Sequence, residues 1–383
     1  MMVSGAWLQH EGTQALCAAL ESKGFQALLV GGCVRNAVLG ETVGDIDIAT
    51  DALPKNVSDM AESAGFRAIP TGIDHGTLTV VAGGRAHEVT TFRRDVETDG
   101  RRAVVAFGTS LTEDAGRRDF TMNALYADRQ GQVLDPLGGL PDLIARRLRF
   151  VGEPQARIRE DYLRILRFFR FYAWYGDPQQ GPDAEALAAC AALAEGIDSL
   201  SHERIGAEMR KLLSAPDPAP AMGSMAAAGV LARVLPGAGI LALGPLVHEE
   251  GEAPVRWLRR LAVVGGAELT ENLRLSRAES GTVAQIRDAI GSMETPAALG
   301  WRLGQTTATD AILARAAVMQ TALPQRWQAD ILRGALARFP VKAADLPHLA
   351  GPGLGQHLTL LQTRWLASDL RLSKAALLQG SDD

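Results

Sequence analysis

The segments with a strand-like pattern all lie in the first 145 residues of this 383-residue chain. The run Ala27–Val30 is apolar, is too short for a helix and ends at a pair of glycines. Three further segments alternate polar and apolar residues or are rich in β-branched residues: Asp45–Thr50, Thr77–Val81 and Ala86–Phe92. Beyond about Leu143, helical stretches follow one another, separated by clusters of glycine and proline. The pattern predicts an α+β protein, with a mixed α/β head followed by an all-α remainder.

Helix signals in the head fall between these strands, at Glu11–Ser22, Val34–Leu39 and Pro54–Ala64. The segment Arg93–Gly116 is polar and rich in turn residues, which predicts a flexible loop. We divide the chain into a head (residues 1–145), a helical neck (146–215) and a helical body and tail (216–383).

Composition limits the class of protein. Apolar residues make up 47% and charged residues 22% of the chain, as in soluble globular proteins. The three cysteines are far apart and form no CxxC pair, which argues against a disulfide scaffold or structural zinc and favours a reducing compartment. The first residues lack the pattern of a signal peptide, and Gly229–Val247, the most apolar stretch, is interrupted by arginine and proline. We therefore expect a cytoplasmic protein without a membrane partner.

A glycine turn follows the first predicted strand, at Gly31-Gly32, and a helix follows the turn. Glycine lets a backbone approach a ligand closely, and the N–H groups at the start of a helix can bind phosphate. Gly32 and Arg35, which lies one turn into the helix, are therefore candidate phosphate-binding residues. A glycine pair is by itself weak support for such a site.

Two carboxylates, Asp45 and Asp47, flank Ile46 in the second predicted strand. Residues i and i+2 of a strand share a face, so both carboxylates should project together while Ile46 and Ile48 enter the core. Adjacent carboxylates repel one another unless a cation lies between them, and Mg²⁺ prefers such oxygen ligands together with substrate phosphates. The competing interpretations are a solvated strand face or a turn, and the metal site of a glycosyltransferase.

Five motifs together resemble the class II (bacterial-type) family of tRNA CCA-adding nucleotidyltransferases and poly(A) polymerases. In chain order they are GGCVRN with GDIDIAT (from Gly31), HEVTTFR (from His87), RRDFTMNA (from Arg117), DPLGG (from Asp135) and EDYLRILRFFRF (from Glu160). The resemblance covers about residues 28–172 and implies a polymerase-β-like head. It also implies two Mg²⁺ ions on Asp45 and Asp47, which become the catalytic residues, and a contact of Arg118 with the triphosphate or sugar of the nucleotide.

The roles of some residues in these motifs remain open. Asn36 stands where the family usually has aspartate, and an amide could replace the acid if that residue only braces Arg35. Glu88 could be a third acidic group near the metals or an edge-strand surface charge. Asp119 is a candidate N-cap for a helix, with Asn123 in a structural or supporting role.

One helix is predicted from Arg159 to Ala173, with an apolar face opposite a charged stripe that contains Asp161 and Arg164. Residues three apart on a helix are neighbours, so this pair would offer one acceptor beside one donor. Cytosine and adenine both present an amino donor beside a ring-nitrogen acceptor, whereas uracil and guanine present the opposite order. The pair would therefore select C and A, because a mismatch leaves charged groups unpaired. A solvated face is the simpler alternative.

The resemblance implies that Arg167 and Arg170, further round this helix, also serve the nucleotide. Residues 140–175 contain eight arginines and four acidic residues, which suits contact with an RNA backbone in a chain of net charge −5. We expect an enzyme that adds C, C and A to the 3′ end of tRNA from CTP and ATP, with tRNA as its partner and no protein partner implied. The alternatives are a poly(A) polymerase, an enzyme that adds only CC or only A, and a non-catalytic RNA-binding protein of the same fold.

Overall fold

The computed structural model describes residues 1–99 and 102–379, and it has the α+β fold that the sequence predicts. The head contains the strands β1 (Leu28–Val30), β2 (Asp47–Thr50), β3 (Arg67–Gly72), β4 (Thr77–Ala82), β5 (Arg85–Thr91), β6 (Arg93–Asp99), β7 (Arg102–Phe107), β8 (Tyr126–Ala127) and β9 (Val133–Leu134). Among the described residues, no strand follows Leu134, which confirms that the rest of the chain is helical.

Helices lie between these strands and make up the remainder. Those in residues 1–192 are α1 (Ala6–Gln9), α2 (Glu11–Ser22), α3 (Gly32–Leu39), α4 (Pro54–Ser63), α5 (Leu111–Gly116), α6 (Leu140–Ile144), α7 (Pro154–Glu160), α8 (Leu163–Tyr175) and α9 (Ala184–Ala192). Those that follow are α10 (His202–Leu213), α11 (Ala219–Ala227), α12 (Val230–Val234), α13 (Leu243–Glu250), α14 (Trp257–Val264), α15 (Leu269–Asn272), α16 (Arg277–Gly291), α17 (Pro296–Met319), α18 (Trp327–Leu336), α19 (Gly351–Ala367) and α20 (Lys374–Gln379). None of these helices has both the length and the apolar character needed to cross a bilayer.

The main sheet has the strand order β3-β4-β5-β2-β1-β8-β9. Strands β2 and β5 pair in parallel, and the other neighbours pair antiparallel. Helices α2 and α4 pack against β4 and β5. The sheet is therefore mixed, and its one parallel pair brings the start of β2 beside the middle of β5.

The core of the head confirms the expected alternation around the two carboxylates. Ile46 and Ile48 are buried, with 1% and 0% of their surface exposed. The strand itself is shorter than predicted, because β2 begins at Asp47 and leaves Asp45 in the preceding exposed segment. The premise that Asp45 and Asp47 share a face of one strand was therefore wrong, although both lie at the same end of β2.

The segment Arg93–Gly116 is not the flexible loop that its polar composition suggested. Strands β6 and β7 form an antiparallel hairpin, and α5 follows it. Gly100 and Arg101, within this segment, lie outside the described residues. The prediction failed because hairpin strands can pair through their backbones without an apolar pattern of side chains.

The single helix predicted from Arg159 to Ala173 is also wrong, because the structure has two helices that meet at Asp161. Asp161 has an extended backbone (φ −157°, ψ 106°) and ends α7. Its carboxylate Oδ1 accepts a hydrogen bond from the backbone N–H of Leu163, 3.1 Å away, at the start of α8. Aspartate offers this alternative to a continuous helix, which explains the break.

Two compact units divide the chain. The first comprises residues 1–201 and 224–233, and the second comprises residues 202–223 and 234–383, of which 380–383 lie outside the described residues. The division into head, neck, and body with tail stays a prediction.

The second unit contains a buried cluster of charges. Arg259 and Arg260 of α14 are each 1% exposed and bind Glu250 and Asp310. Arg260 also donates to backbone carbonyls at and after the end of α10, including that of Leu213 at 2.8 Å. These two arginines therefore hold the second unit together.

Candidate active site

A turn at Gly31 joins β1 to α3 and requires glycine. Gly31 has φ +69°, a left-handed conformation in which a side chain would be strained. A Cβ atom there would also lie 3.4 Å from Nη1 of Arg118. No side chain caps α3, so its first N–H groups face the surroundings of Gly32 without a cap from this chain. The turn therefore has the features expected of a phosphate site.

The carboxylates of Asp47 and Glu88 lie on adjacent strands. Asp47 pairs with Glu88 in the parallel ladder of β2 and β5, so the two residues lie side by side on one face. Asp47 is half-buried, and Asp45 and Glu88 are exposed. The structure thus places a third acid, Glu88, whose role the sequence left open, beside Asp47.

The electrostatics of Asp47 reflect this crowding. Its pKa is raised to about 6, first by burial and then by the negative charges of Glu88 and Asp45, while the guanidinium of Arg118 acts to lower it. A carboxylate in such surroundings has a strong tendency to bind a cation. The donor set, which consists of carboxylate oxygens, fits Mg²⁺ or a similar hard cation. Within residues 1–99 and 102–379 no three such side chains form a complete metal cluster, so substrate oxygens or water would have to complete the coordination.

Arg118 reaches this site from the segment that follows α5. Its Nε donates to the hydroxyl of Tyr126 at 3.0 Å, and its Nη2 donates to Oδ2 of Asp114 at 3.1 Å. Its Nη1 is the atom that lies beside Gly31. Arg118 thus lies between the glycine turn and Asp47, where a nucleotide contact was predicted.

Arg35 is 6% exposed and is held by this chain's own side chains. Its Nε and Nη2 donate to Oδ1 of Asn36, at 3.1 and 3.0 Å, which confirms that an amide at position 36 can brace Arg35. Nη1 donates to Asn123, and Nη2 also donates to the hydroxyl of Tyr175 at 2.8 Å. These bonds fix Arg35 one turn beyond Gly32, and its binding of phosphate stays a prediction.

Asp119 connects this group to α8. Its Oδ2 accepts from Nε of Arg167 at 2.8 Å, and its Oδ1 accepts from Nδ2 of Asn123 at 3.0 Å. Burial raises the pKa of Asp119, but Arg167 and these hydrogen bonds lower it below the ordinary value. The expected N-cap role was wrong, because only a 3₁₀ turn, Thr121–Asn123, follows and Asp119 binds Arg167 instead. Arg167 therefore orders the network that ends at Arg35.

Aromatic packing sets the position of α8. The ring of Phe120 lies 5.3 Å from that of Phe171 and 4.9 Å from that of Phe150, measured between centroids. Phe168 stacks on Phe150 at 5.8 Å. The helix is thus buried against the segment that carries Arg118 and Asp119. Such aromatic contacts, together with the burial of the rings, stabilise this position of α8.

The predicted base-selecting residues have different partners from those expected. Nη1 of Arg164 binds Glu160 and the backbone carbonyl of Arg157, the latter at 2.6 Å. Arg157 in turn binds Glu160 and the carbonyls of Arg117 and Arg118. Arg164 is therefore connected through Arg157 to the segment of Arg117 and Arg118, while Asp161 accepts from the first N–H of α8. Selection of the base by these residues stays a prediction.

Arg170 lies on α8 with its guanidinium 4.3 Å from the centroid of the Phe171 ring. Its predicted contact with the nucleotide also stays a prediction. Four residues that sequence reasoning did not select complete the site by positioning others: Asp114, Tyr126, Arg157 and Tyr175. Asp114 lies four residues before Arg118, a spacing that brings side chains together on a helix, but its segment was predicted to be a loop, so the sequence did not identify this pair.

Comparison with known families gives two matches. Residues 27–149 match the family described as "Poly A polymerase head domain", and residues 182–240 match "Probable RNA and SrmB- binding site of polymerase A". The first match spans the glycine turn, the carboxylates and Arg118.

Among curated proteins, the human "CCA tRNA nucleotidyltransferase 1, mitochondrial" is 42% identical over 204 residues, which are 53% of this chain and 47% of that protein. The "CCA-adding enzyme" of Geobacillus thermodenitrificans is 42% identical over 245 residues, which are 63% of this chain and 55% of that protein. The chain therefore spans about half the length of the curated relatives that it matches.

Solved structures match a larger part of this chain than the curated relatives do. The Bacillus stearothermophilus CCA-adding enzyme in complex with CTP has a TM-score of 0.75 and 29% identity, over 96% of each chain. A CCA-adding enzyme in its apo form II has a TM-score of 0.73 at 18% identity, over 99% of this chain and 96% of that one, and this likeness shows the fold.

Proposed function

The chain belongs to the bacterial-type family of tRNA CCA-adding nucleotidyltransferases and poly(A) polymerases, and on that premise we propose that it adds C, C and A to the 3′ end of tRNA. The observation that carries the proposal is the meeting of Asp45, Asp47 and Glu88 with Arg118 beside the Gly31 turn. Carboxylates and a guanidinium beside a phosphate-binding turn suit the transfer of a nucleotide with release of pyrophosphate.

We propose that Asp45 and Asp47 are the catalytic and metal-binding residues. The nucleotidyltransferase fold of this family generally uses a divalent metal, and oxygen-only donors favour Mg²⁺. Bound there, Mg²⁺ ions would supply positive charge both for deprotonation of the RNA 3′-hydroxyl and for the leaving pyrophosphate. Glu88 adds negative charge beside Asp47 on the neighbouring strand.

The remaining roles follow from the positions of the side chains. The N–H groups at Gly32 would bind phosphate, with Arg35 anchored behind the turn. Arg118 would contact the triphosphate or sugar, because its Nη1 lies beside Gly31. Arg167 would order this group through Asp119, and Arg170 lies further along the same helix.

We propose that Asp161 and Arg164 select the base of the incoming nucleotide. An acceptor and a donor that together match the edges of cytosine and adenine would reject uracil and guanine, since a mismatch leaves a charged group unpaired. The connection of Arg164 to the carbonyl of Arg118 through Arg157 supports this proposal, because it ties the base reader to the residue that would hold the triphosphate or sugar.

The substrates would be tRNA, CTP and ATP. The names of the curated relatives and the CTP complex of the Bacillus enzyme support these substrates. The three cysteines are free and buried, which supports a reducing compartment, and we place the protein in the cytoplasm.

Transfer to a tRNA that lacks its 3′-terminal CCA tests the proposal. With CTP, ATP and Mg²⁺, we expect the tRNA to gain three nucleotides and then to stop, and CTP alone should give two. Asp45→Ala should abolish transfer without loss of fold, as judged by circular dichroism.

Other products would identify the alternatives. Unbounded A-tails from ATP on generic RNA would indicate a poly(A) polymerase, and a stop after CC or a requirement for a CC end would indicate a partial enzyme. Binding of tRNA without any release of pyrophosphate would indicate a non-catalytic RNA-binding protein.

A further inference from the structure

We propose that Asp114 is a positioning residue that holds Arg118 in place for the nucleotide, and that Tyr126 completes this clamp. The inference rests on the proposed function, since the nucleotide is the ligand that Arg118 would contact. It adds a role for a helix, α5, that the motifs of the active site do not include.

Asp114 lies in α5 and is 1% exposed. Both of its oxygens are used: Oδ1 accepts from Nε of Arg117 at 2.8 Å, and Oδ2 accepts from Nη2 of Arg118 at 3.1 Å. A buried carboxylate that faces two guanidiniums remains charged, and burial, which raises the pKa of Asp114, is outweighed by these two cations. A carboxylate in this state makes strong, directional hydrogen bonds.

Tyr126, in β8, closes the arrangement. Its hydroxyl donates to Oδ2 of Asp114 at 2.6 Å and accepts from Nε of Arg118 at 3.0 Å. The guanidinium carbon of Arg118 lies 5.2 Å from the centroid of the Tyr126 ring. Two of the three nitrogens of Arg118 are therefore held by protein atoms, and Nη1 is directed to the glycine turn.

Such a clamp matters because arginine has a long and flexible side chain. Binding of a nucleotide to an unrestrained Arg118 would have to order that side chain, which weakens binding. With Asp114 and Tyr126 in place the ordering is already achieved in the free protein. Removing the clamp should therefore weaken nucleotide binding without removing the group that makes the contact.

The clamp also connects the nucleotide site to the hairpin. Three residues separate the end of β7 from the start of α5, and Oγ of Ser110 caps α5 by accepting from the N–H of Glu113 at 3.3 Å. A displacement of the hairpin that moved α5 would move Asp114, and with it Arg118.

The test measures binding of CTP and of ATP by isothermal titration calorimetry in the full chain. Asp114→Asn should raise both dissociation constants by a similar factor, on the order of tenfold, since one charged hydrogen bond is lost. Tyr126→Phe should raise them by about threefold. The matched control is Glu113→Gln, which removes the same charge from the neighbouring exposed residue and should leave both constants unchanged. The dissociation constant for tRNA should not change in any of these variants.

A double-mutant cycle separates positioning from a general structural effect. In an Arg118→Ala background, Asp114→Asn should change the dissociation constant for CTP by less than about twofold, because the residue through which it acts is gone. An equal factor in both backgrounds, or no effect in either, would overturn the inference. If Asp114→Asn does not fold, Tyr126→Phe provides the same cycle.

Failure of the proposed function has a different signature. If the unmodified protein binds neither CTP nor ATP, the nucleotide assignment itself is wrong. If it binds both and Asp114→Asn binds them equally well, only the role of Asp114 is wrong.

Discussion

Asp47 carries a conflict between stability and function. Burial and the neighbouring negative charge of Glu88 together raise the pKa of its carboxyl to about 6. A bound cation requires the ionised carboxylate. In the folded protein without a cation, this ionised form is the disfavoured one. A residue with this property is expected at a functional site rather than in a scaffold, because a neutral side chain would be more stable there.

The pH dependence of stability should show this conflict. Because the pKa of Asp47 is raised in the folded state, the protonated carboxyl adds stability that is fully present below about pH 4 and is lost as the pH rises through 6. Without divalent cations, Asp47→Asn should raise the free energy of unfolding at pH 7.5 by about 1–2 kcal/mol, after allowance for partial exposure. Urea denaturation at pH 4 and pH 7.5 measures the difference.

The same variant should lose nucleotide transfer by a factor on the order of a thousand or more. Asp59→Asn, in the exposed part of α4, is the control and should change neither property. A stability difference that is independent of pH would contradict the assigned cause, and near-normal turnover with Mg²⁺ would contradict the metal assignment.

At the scale of elements, the break between α7 and α8 gives Asp161 two separate roles. Its carboxylate caps α8 through the N–H of Leu163, and it would accept a hydrogen bond from the nucleotide base. Since a cap needs only an acceptor oxygen, and base choice needs a carboxylate, the two roles respond to different substitutions.

Asp161→Asn should therefore keep the cap and the melting temperature, whereas Asp161→Ala should lower the free energy of unfolding by about 1 kcal/mol. Both variants should lose discrimination of CTP and ATP against UTP and GTP, measured as ratios of kcat/KM. Strict selectivity in both variants would show that Asp161 is only a cap.

The β6–β7 hairpin is a second element whose role can be tested. It leads into α5, whose Asp114 binds both Arg117 and Arg118. Under the proposed function the site accepts first C and then A, which requires a change of shape, and this hairpin adjoins α5 outside the main sheet.

Replacement of residues 95–105 by two glycines should leave addition of the two C residues within about threefold and reduce addition of A by at least tenfold, because only the second specificity needs the change of shape. Products are resolved at single-nucleotide length on a tRNA that lacks CCA. An equal loss of all three additions would show that the hairpin only supports the fold.

The sequence predicted those elements whose signal is local. The apolar run before Gly31, the helix at Glu11–Ser22 and the burial of Ile46 and Ile48 follow from patterns a few residues long. Strands β8 and β9 have two residues each and have no periodicity to detect. The pairing of Arg167 with Asp119 joins residues 48 positions apart, and no local pattern reports such a contact. Motif resemblance located the candidate residues, but not the side chains that hold them.

At the scale of the whole molecule, the second unit depends on charges rather than on apolar contacts alone. Arg259 and Arg260 are buried, so they are not available to an RNA backbone. Glu250 binds both of them, with nearest N–O distances of 2.7 Å. Removal of one partner from a buried pair leaves an uncompensated charge.

Glu250→Gln should therefore lower the free energy of unfolding by about 3–5 kcal/mol. The control, Glu252→Gln, lies in an exposed position two residues away and should cost less than about 0.5 kcal/mol. Both are measured by guanidinium denaturation. A small effect at Glu250 would mean that water or backbone groups replace the carboxylate.

The order of the units along the chain has a consequence for synthesis on the ribosome. The first unit is completed only by residues 224–233, and the second begins with residues 202–223 before that completion. The carbonyl of Leu213, at the end of α10, has its hydrogen-bond donor only after Arg260 has been translated, 47 residues later. A nascent chain therefore carries α10 through the exit tunnel before its partners exist, and no single cleavage point yields both units intact. Separate expression of either unit would therefore require a redesigned connection.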